Sequence, residues 1–158
     1  MTAIRRAEPS DLATVQRISA DAYISAYAAV IGAVPKPASE DYEPRIARGE
    51  VWLTEQDGVT QGLVVLEPKA DHLLVYSVAV APEAQRRGLG RALLDFAGER
   101  AALLGLREVR LYTDVRMEAN VRLYGSCGFV EIGRRAHPGR AGEFLVDMAK
   151  TLSRSGRT

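Results

Sequence analysis

One cysteine, Cys127, is all the thiol this 158-residue chain has, so no internal disulfide can form. A reducing, cytoplasmic setting is the expectation. Histidine is nearly as scarce: His72 and His137 stand apart at predicted turns or strand ends, too few and too isolated for a metal site, and none is expected. Excess charge is missing too. With 21 basic against 20 acidic side chains the net charge is +1, which removes the electrostatic case for nucleic acid or an anionic membrane as main partner. No apolar run approaches the ~20 residues of a membrane span. The opening MTAIRRAEPSD lacks the apolar centre of a signal peptide.

What remains is an ordinary globular composition, 47% apolar and 26% charged, enough to bury a core in one domain. Residues 1–150 are expected to form that domain. The Ser-, Gly- and Arg-containing end, residues 151–158, reads as a flexible tail.

The centre of the chain is a strand, a glycine turn and a helix. Leu73 to Val80 is an apolar, β-branched run that reads as a strand buried on both faces. Ala81-Pro82 ends it, since proline has no N–H to give a ladder. Gln85, Arg86, Arg87, Gly88, Leu89, Gly90 and Arg91 follow, and a helical pattern opens at Ala92. Turn amides and the positive end of a helix dipole together cradle phosphate oxygens. Two glycines let the phosphate approach, and three arginines supply charge. The string is not a dinucleotide fingerprint, whose third glycine position is Leu93 here, and it lacks the Gly-Lys-Ser/Thr ending of a P-loop. A pyrophosphate site is the reading.

Around this centre, Ala3–Ala7 reads as an edge strand and Pro9-Ser10-Asp11 as a helix start. The helix behind it carries an inward stripe of Leu12, Val15, Ile18 and Ala22, with Tyr23 and Tyr27 on a neighbouring face. Ile31–Ser39 reads as a loop and Glu40–Ala47 as a short helix. Strands over Glu50–Glu55 and Thr60–Glu67 flank an Asp57-Gly58 hairpin turn, and Trp52 is expected in or near the core. A helix with Leu93, Phe96, Ala97, Ala101 and Leu104 on one stripe ends at Gly105. Glu108–Asp114 alternates as a strand, and the intervening helix makes it parallel to Leu73–Val80. Met117–Cys127 reads as a helix closed by Gly128. Strands over Phe129–Arg134 and Glu143–Ala149 then flank a turn at His137-Pro138-Gly139, with Phe144, Val146 and Met148 on one face. The class is α+β: an antiparallel meander, a parallel pair and a closing hairpin.

A second motif lies one helix and one strand beyond the glycine turn. Asn120 and Tyr124 share a helix face, and Gly128-Phe129 follows. Together with Gln85-x-x-Gly88-x-Gly90 after Ala-Val-Ala-Pro, this string resembles the GNAT superfamily of N-acetyltransferases over most of the chain. The resemblance implies a mixed, mostly antiparallel sheet with a central parallel strand pair and helices on both faces. It implies acetyl-CoA as acetyl donor, with Gln85 to Arg91 at its phosphates and Asn120 contacting it. Val78, Ala79 and Val80 would pair with the pantetheine arm, an N–H near Val78 polarising the acetyl carbonyl. Tyr124 would sit by the thioester sulfur. The reaction implied is direct acetyl transfer to an amine.

Many members of the superfamily carry a glutamate on the central strand to take the amine's proton, and here that position is Tyr76. Asp71, His72 and Asp114, acting through a water, are the alternatives. The acceptor would be a small-molecule or peptide amine, met by Tyr23, Tyr27, Tyr76 and Tyr112, in a pocket formed by residues 23–42 and the strand ends near Tyr76 and Tyr112. Three other readings stay open: a domain that binds acetyl-CoA without catalysing, a dinucleotide-binding α/β protein, and Cys127 as an acyl-enzyme nucleophile. Exposed sheet edges would allow a homodimer.

Overall fold

Seven strands form one mixed sheet in the order β1-β2-β3-β4-β5-β7-β6. They are β1 Ala3–Arg6, β2 Val51–Gln56, β3 Val59–Pro68, β4 Leu73–Val80, β5 Glu108–Asp114, β6 Val130–Ala136 and β7 Phe144–Thr151. The helices are α1 Leu12–Tyr27, α2 Lys36–Ser39, α3 Glu43–Ala47, α4 Leu89–Leu103 and α5 Glu118–Ser126. The computed structural model describes residues 3–27, 30–32 and 36–153. Among these, no helix is long and apolar enough to cross a membrane. The chain divides into two compact units, Met1–Leu66 with Tyr76–Leu94, and Glu67–Val75 with Asp95–Thr158.

The first unit is built on a hairpin. Asp57 and Gly58 both take positive φ (53° and 78°), the pair of left-handed residues that a two-residue reversal needs. Against its strands lie Val15, Ile18 and Ala22 of α1, with Leu53, Leu63 and Val65 also buried, and Leu12 packs alongside. Burying each large apolar side chain contributes about 1.5–3 kcal/mol. Ahead of α1, Asp11 accepts the Glu8 N–H at 2.7 Å and the Arg5 guanidinium at 2.9 Å, tying the helix entry to β1. Trp52 is half-buried under the guanidinium of Arg6, 4.5 Å from its ring.

Gly62 on β3 is where strands come closest. A Cβ there would lie 2.8 Å from the carbonyl oxygen of Ala79 on β4. Gly62→Ala is therefore expected to cost about 1–3 kcal/mol, as overpacking does. A lower urea midpoint would show it, and an unchanged midpoint would mean the two backbones part without strain.

The second unit holds the parallel pair, Leu73↔Val109 and Leu74↔Arg110. It also holds the antiparallel ladders β5–β7 and β6–β7. Its core includes Ala97, Ala101, Val109, Leu111, Phe129, Val146 and Met148.

Several expectations are corrected. Within Ile31–Ser39 a helical turn, α2, forms at Lys36–Ser39: Pro37 pre-sets φ in a first turn instead of breaking it, and residues 33–35 lie outside the described set. The next helix starts at Glu43, where Asp41 accepts the Glu43 N–H at 3.0 Å, so Glu40 precedes it. Tyr42, expected in the acceptor region, is completely buried in the core, and burial pushes its phenol up to about 12. β4 alternates buried and half-buried residues and is not covered on both faces. α4 begins at Leu89, directly after Gly88 in left-handed conformation. Its stripe uses Leu94, while Leu104 lies past the helix end, exposed, and Phe96 is half-buried. Phe144 is exposed, and Leu145 and Ala149 are buried beside Val146 and Met148, so both faces of β7 contribute buried residues. Of the expected tail, Thr151 belongs to β7 and the Leu152 N–H reaches Arg107 O at 2.8 Å; residues 154–158 lie outside the described set.

Candidate functional site

In the first unit the glycine turn is an open corner. After Val80 a tight turn over Pro82–Ala84 buries Ala84, and Gln85 folds back so that its Nε2 donates to Val80 O at 3.2 Å. Arg86 and Gly88 then take positive φ (66° and 79°), and a left-handed non-glycine residue such as Arg86 is a mark of functional turns. Residues 85–88 are exposed, and nothing lies within 4 Å of where a Gly88 Cβ would be. The Ala92 amide of α4 closes on Gly88 O at 3.0 Å. Helix geometry leaves the preceding amides of this turn, at Gly88, Leu89 and Gly90, without an acceptor inside the helix. With the dipole behind them and Arg86, Arg87 and Arg91 exposed around them, the corner can take a doubly charged anion.

The same unit holds the C-terminal part of β4, with Val78 and Val80 half-buried and Ala79 buried. Tyr23 shares a hydrogen bond of 2.8 Å with Ser77 Oγ and lies 3.4 Å from Val78 O. Its ring is 5.3 Å from that of Tyr27, one helical turn further along α1. Tyr76 donates its hydroxyl to the carboxylate of Glu40. Arg45, buried, grips the other oxygen of that carboxylate through Nε and reaches Glu50 through Nη1 at 3.0 Å. Its guanidinium carbon stands 3.8 Å from the centre of the Tyr76 ring. Burial first, and then the Glu40 carboxylate, hold the Tyr76 phenol well above the ordinary tyrosine range, so it stays protonated. Sequence reasoning missed Glu40 and Arg45. The available signal was acid-base-acid spacing at 40, 45 and 50, which does not point to a partner 36 residues on.

In the second unit, Tyr112 lies on β5 with the Arg135 guanidinium 4.9 Å from its ring, and Arg135 forks onto Asp147 at 2.8 and 3.0 Å. These residues line an open groove of about 350 Å³ with Leu74, Arg110 and Ile132. Asn120 donates to Thr113 Oγ1 at 3.3 Å. Tyr124 is buried, edge-on to Phe129 with ring centres 6.3 Å apart. Cys127 is a buried free thiol. His72 lines the same groove and pairs with Asp71 at 2.7 Å, and His137 accepts the Gly139 amide at 2.9 Å.

Asp114, considered as a base, is instead a structural anion. It is buried, takes Arg116 in a fork at 3.0 Å on each oxygen, and accepts the Arg116 amide at 2.9 Å. The Arg116 guanidinium holds its carboxyl below the usual carboxylate range. A carboxyl with a depressed folded-state pKa stabilises fully above its unfolded value of ~3.9 and loses that contribution as pH falls through the folded value. Asp114→Asn should therefore cost about 2 kcal/mol at neutral pH and less towards pH 2. Urea midpoints measured across pH 2–7 check this; a cost that does not shrink on acidification contradicts it.

Comparison with known proteins decides the class of this molecule. The profile of the Acetyltransferase (GNAT) domain matches residues 47–131, more than half of the chain. The chain belongs to the GNAT acetyltransferase family. Over 112 residues it is 32% identical to the [Ribosomal protein bS18]-alanine N-acetyltransferase of Escherichia coli K12, covering 67% of this chain and 76% of that protein. It is 34% identical over 92 residues to "Probable N-acetyltransferase 14" of Xenopus tropicalis, covering 56% of this chain and 44% of that one, so it spans less than half of that relative. Among solved structures, the PaiA N-acetyltransferase of Thermoplasma acidophilum in complex with coenzyme A has the same fold, with a TM-score of 0.77, 20% identity, and 96% and 99% of the two chains covered.

The GNAT match runs from the end of α3 into β6. It takes in the glycine turn, β4, Asn120 and Tyr124, and leaves out α1, Glu40 and Arg45.

Proposed function

We propose that this GNAT domain is an N-acetyltransferase that moves an acetyl group from acetyl-CoA directly to a primary amine of a small molecule or peptide. One observation supports the donor above others: an exposed corner with left-handed Arg86 and Gly88 opens onto the first amides of α4. That geometry fits a diphosphate, since no side chain fills the space at Gly88. The coenzyme A complex of the related fold agrees with this donor. Gln85, Arg86, Arg87, Gly88, Leu89, Gly90 and Arg91 would hold its phosphates, and Asn120 would contact it. The main chain of Val78, Ala79 and Val80 would meet its peptide-like arm, with Gln85 already occupying Val80 O from the turn side. Bound there, the donor supplies an activated acyl group. The chain's part is to orient it, to polarise its carbonyl from an amide near Val78, and to offer the Tyr124 hydroxyl to the departing sulfur.

For the acceptor, basicity separates the candidates. Freeing the lone pair of a lysine-like amine (pKa ~10.4) at pH 7 costs about 4–5 kcal/mol, against about 1 kcal/mol for an α-amine near pKa ~8. The alanine α-amine named for the Escherichia coli relative belongs to the second kind. A peptide N-terminus is therefore the first acceptor to try, with Tyr23, Tyr27, Tyr76 and Tyr112 as its expected contacts.

The test is release of free thiol from acetyl-CoA by the full chain. The acceptors are an alanine-led hexapeptide, an N-terminally blocked lysine peptide, spermidine and an aminoglycoside. Acceptor-dependent release is expected. If CoA raises the thermal midpoint while no acceptor speeds release, the protein is a binding domain for acetyl-CoA. A midpoint raised by NAD and not by CoA would favour the dinucleotide reading.

A further inference from the structure

We propose that Glu40, reached through the Tyr76 hydroxyl, is the proton acceptor for the incoming amine, with Tyr76 in contact with the amine and Glu40 behind it. The inference rests on the acetyltransferase reading above.

The geometry carries it. Tyr76 and Val78 are two apart on one strand, so both side chains face the same way, next to the main chain proposed to receive the acetyl group. A hydroxyl has one hydrogen to give and two lone pairs to receive. Tyr76 gives its hydrogen to one oxygen of Glu40, leaving its own oxygen as an acceptor for an N–H. The other Glu40 oxygen is held by Arg45 Nε. Arg45 is fixed in turn by Glu50 and by the face of the Tyr76 ring. Arg48 Nε binds the other oxygen of Glu50 at 2.9 Å, so the ionic groups around the pair are two acids and two bases. Tyr42 is buried in the adjoining core. Among the described residues Arg45 and Glu50 are tied to one another and to their neighbours, and the Tyr76 oxygen, having given its hydrogen to Glu40, keeps lone pairs that can receive an N–H.

The step balances as a relay. An N–H proton of the amine passes to the Tyr76 oxygen while the phenolic proton passes to Glu40. The nitrogen lone pair forms the N–C bond to the acetyl carbon, the C–S bond breaks with its electron pair on sulfur, and the thiolate takes up the second proton that the acylated nitrogen gives up. Glu40 later returns its proton to water. From an ammonium acceptor the sum is one amide, one thiol and one proton. Because Tyr76 stays protonated before and after, no phenolate is formed, which agrees with the direction in which its surroundings move it.

The experiment uses the full chain and the acceptor of highest turnover in the panel above. Glu40→Gln and Tyr76→Phe are each expected to lower kcat by about 10²-fold at pH 7. The CoA-induced rise in thermal midpoint should be unchanged. Tyr76→Phe keeps the ring under Arg45 and removes only the hydroxyl, so it decides the matter if Glu40→Gln disturbs folding. The deficit should narrow as pH rises past the acceptor's own pKa, where solvent has already freed the lone pair; a purely structural role would leave the ratio constant. Tyr76→Glu in the Glu40→Gln background, which puts a carboxylate directly on the strand, should restore most of the turnover. Wild-type kcat in Tyr76→Phe, or a deficit independent of pH, overturns this inference alone. A wild-type chain that binds CoA and acetylates nothing overturns it together with the enzymatic reading.

Discussion

Gly90→Asp is expected to weaken acetyl-CoA binding by about 10²- to 10³-fold while the thermal midpoint stays level or rises. The two effects have opposite signs for one physical reason. Gly90 is the second residue of α4, at the positive end of the helix dipole. A carboxylate there stabilises a helix by about 0.3–1 kcal/mol, and replacing glycine inside a helix adds a few tenths. The same field is what a diphosphate would use. An added negative charge about 4 Å from a phosphate oxygen, at the effective dielectric of a protein surface, repels it by about 4 kcal/mol before screening. Calorimetric titration with acetyl-CoA and a thermal melt of the same preparation give both readouts. A variant that keeps its affinity would mean that no diphosphate sits on this corner. A variant that unfolds would mean that Gly90 is there for packing.

The glycine turn could be read in advance because its chemistry is local. Ala81-Pro82 ends a strand, Gly88 supplies a left-handed corner, and the amides follow within three residues. The Asp57-Gly58 reversal and the left-handed Gly105 and Gly128 after α4 and α5 are legible for the same reason. What was not legible depends on residues far apart in the chain. The placement of β7 between β5 and β6 is a matter of topology, and what packs on the two faces of β7, burying Leu145, Val146, Met148 and Ala149, is equally non-local. Gly62 looks like an unremarked residue in a strand until Ala79 O is found 2.8 Å from its missing Cβ. The Glu40–Tyr76 pair is the same kind of case. Tyr76 stood out as a departure from the superfamily, but what takes up the departure lies before α3, in a stretch read as the start of a helix. Of the aromatics in the expected acceptor region, Tyr23 reaches Ser77 on β4 and lies near Tyr27, while Tyr42 lies in the core.

Tyr124→Phe should lower kcat by about 10- to 10²-fold and leave acetyl-CoA affinity within about twofold. The ring accounts for the packing: Tyr124 is buried, edge-on to Phe129, and phenylalanine preserves that contact. Only the hydroxyl is removed. On the reference values of free groups, ~8.5 for a cysteine-like thiol and ~10 for a phenol, complete proton transfer from a phenol to a thiolate runs uphill by about 2 kcal/mol. The larger effect is a hydrogen bond that strengthens as charge gathers on the leaving sulfur, and bonds to charged groups are worth about 1.5–3 kcal/mol. At 1.36 kcal/mol per tenfold in rate, that range gives the expected loss. Because the charge exists only on the way to products, the loss should fall on kcat and on kcat/KM alike, with the dissociation constant of acetyl-CoA unmoved. Steady-state rates against a titrated dissociation constant separate the cases. Unchanged turnover would take Tyr124 out of the chemistry, and a loss carried wholly by acetyl-CoA affinity would make it a binding residue.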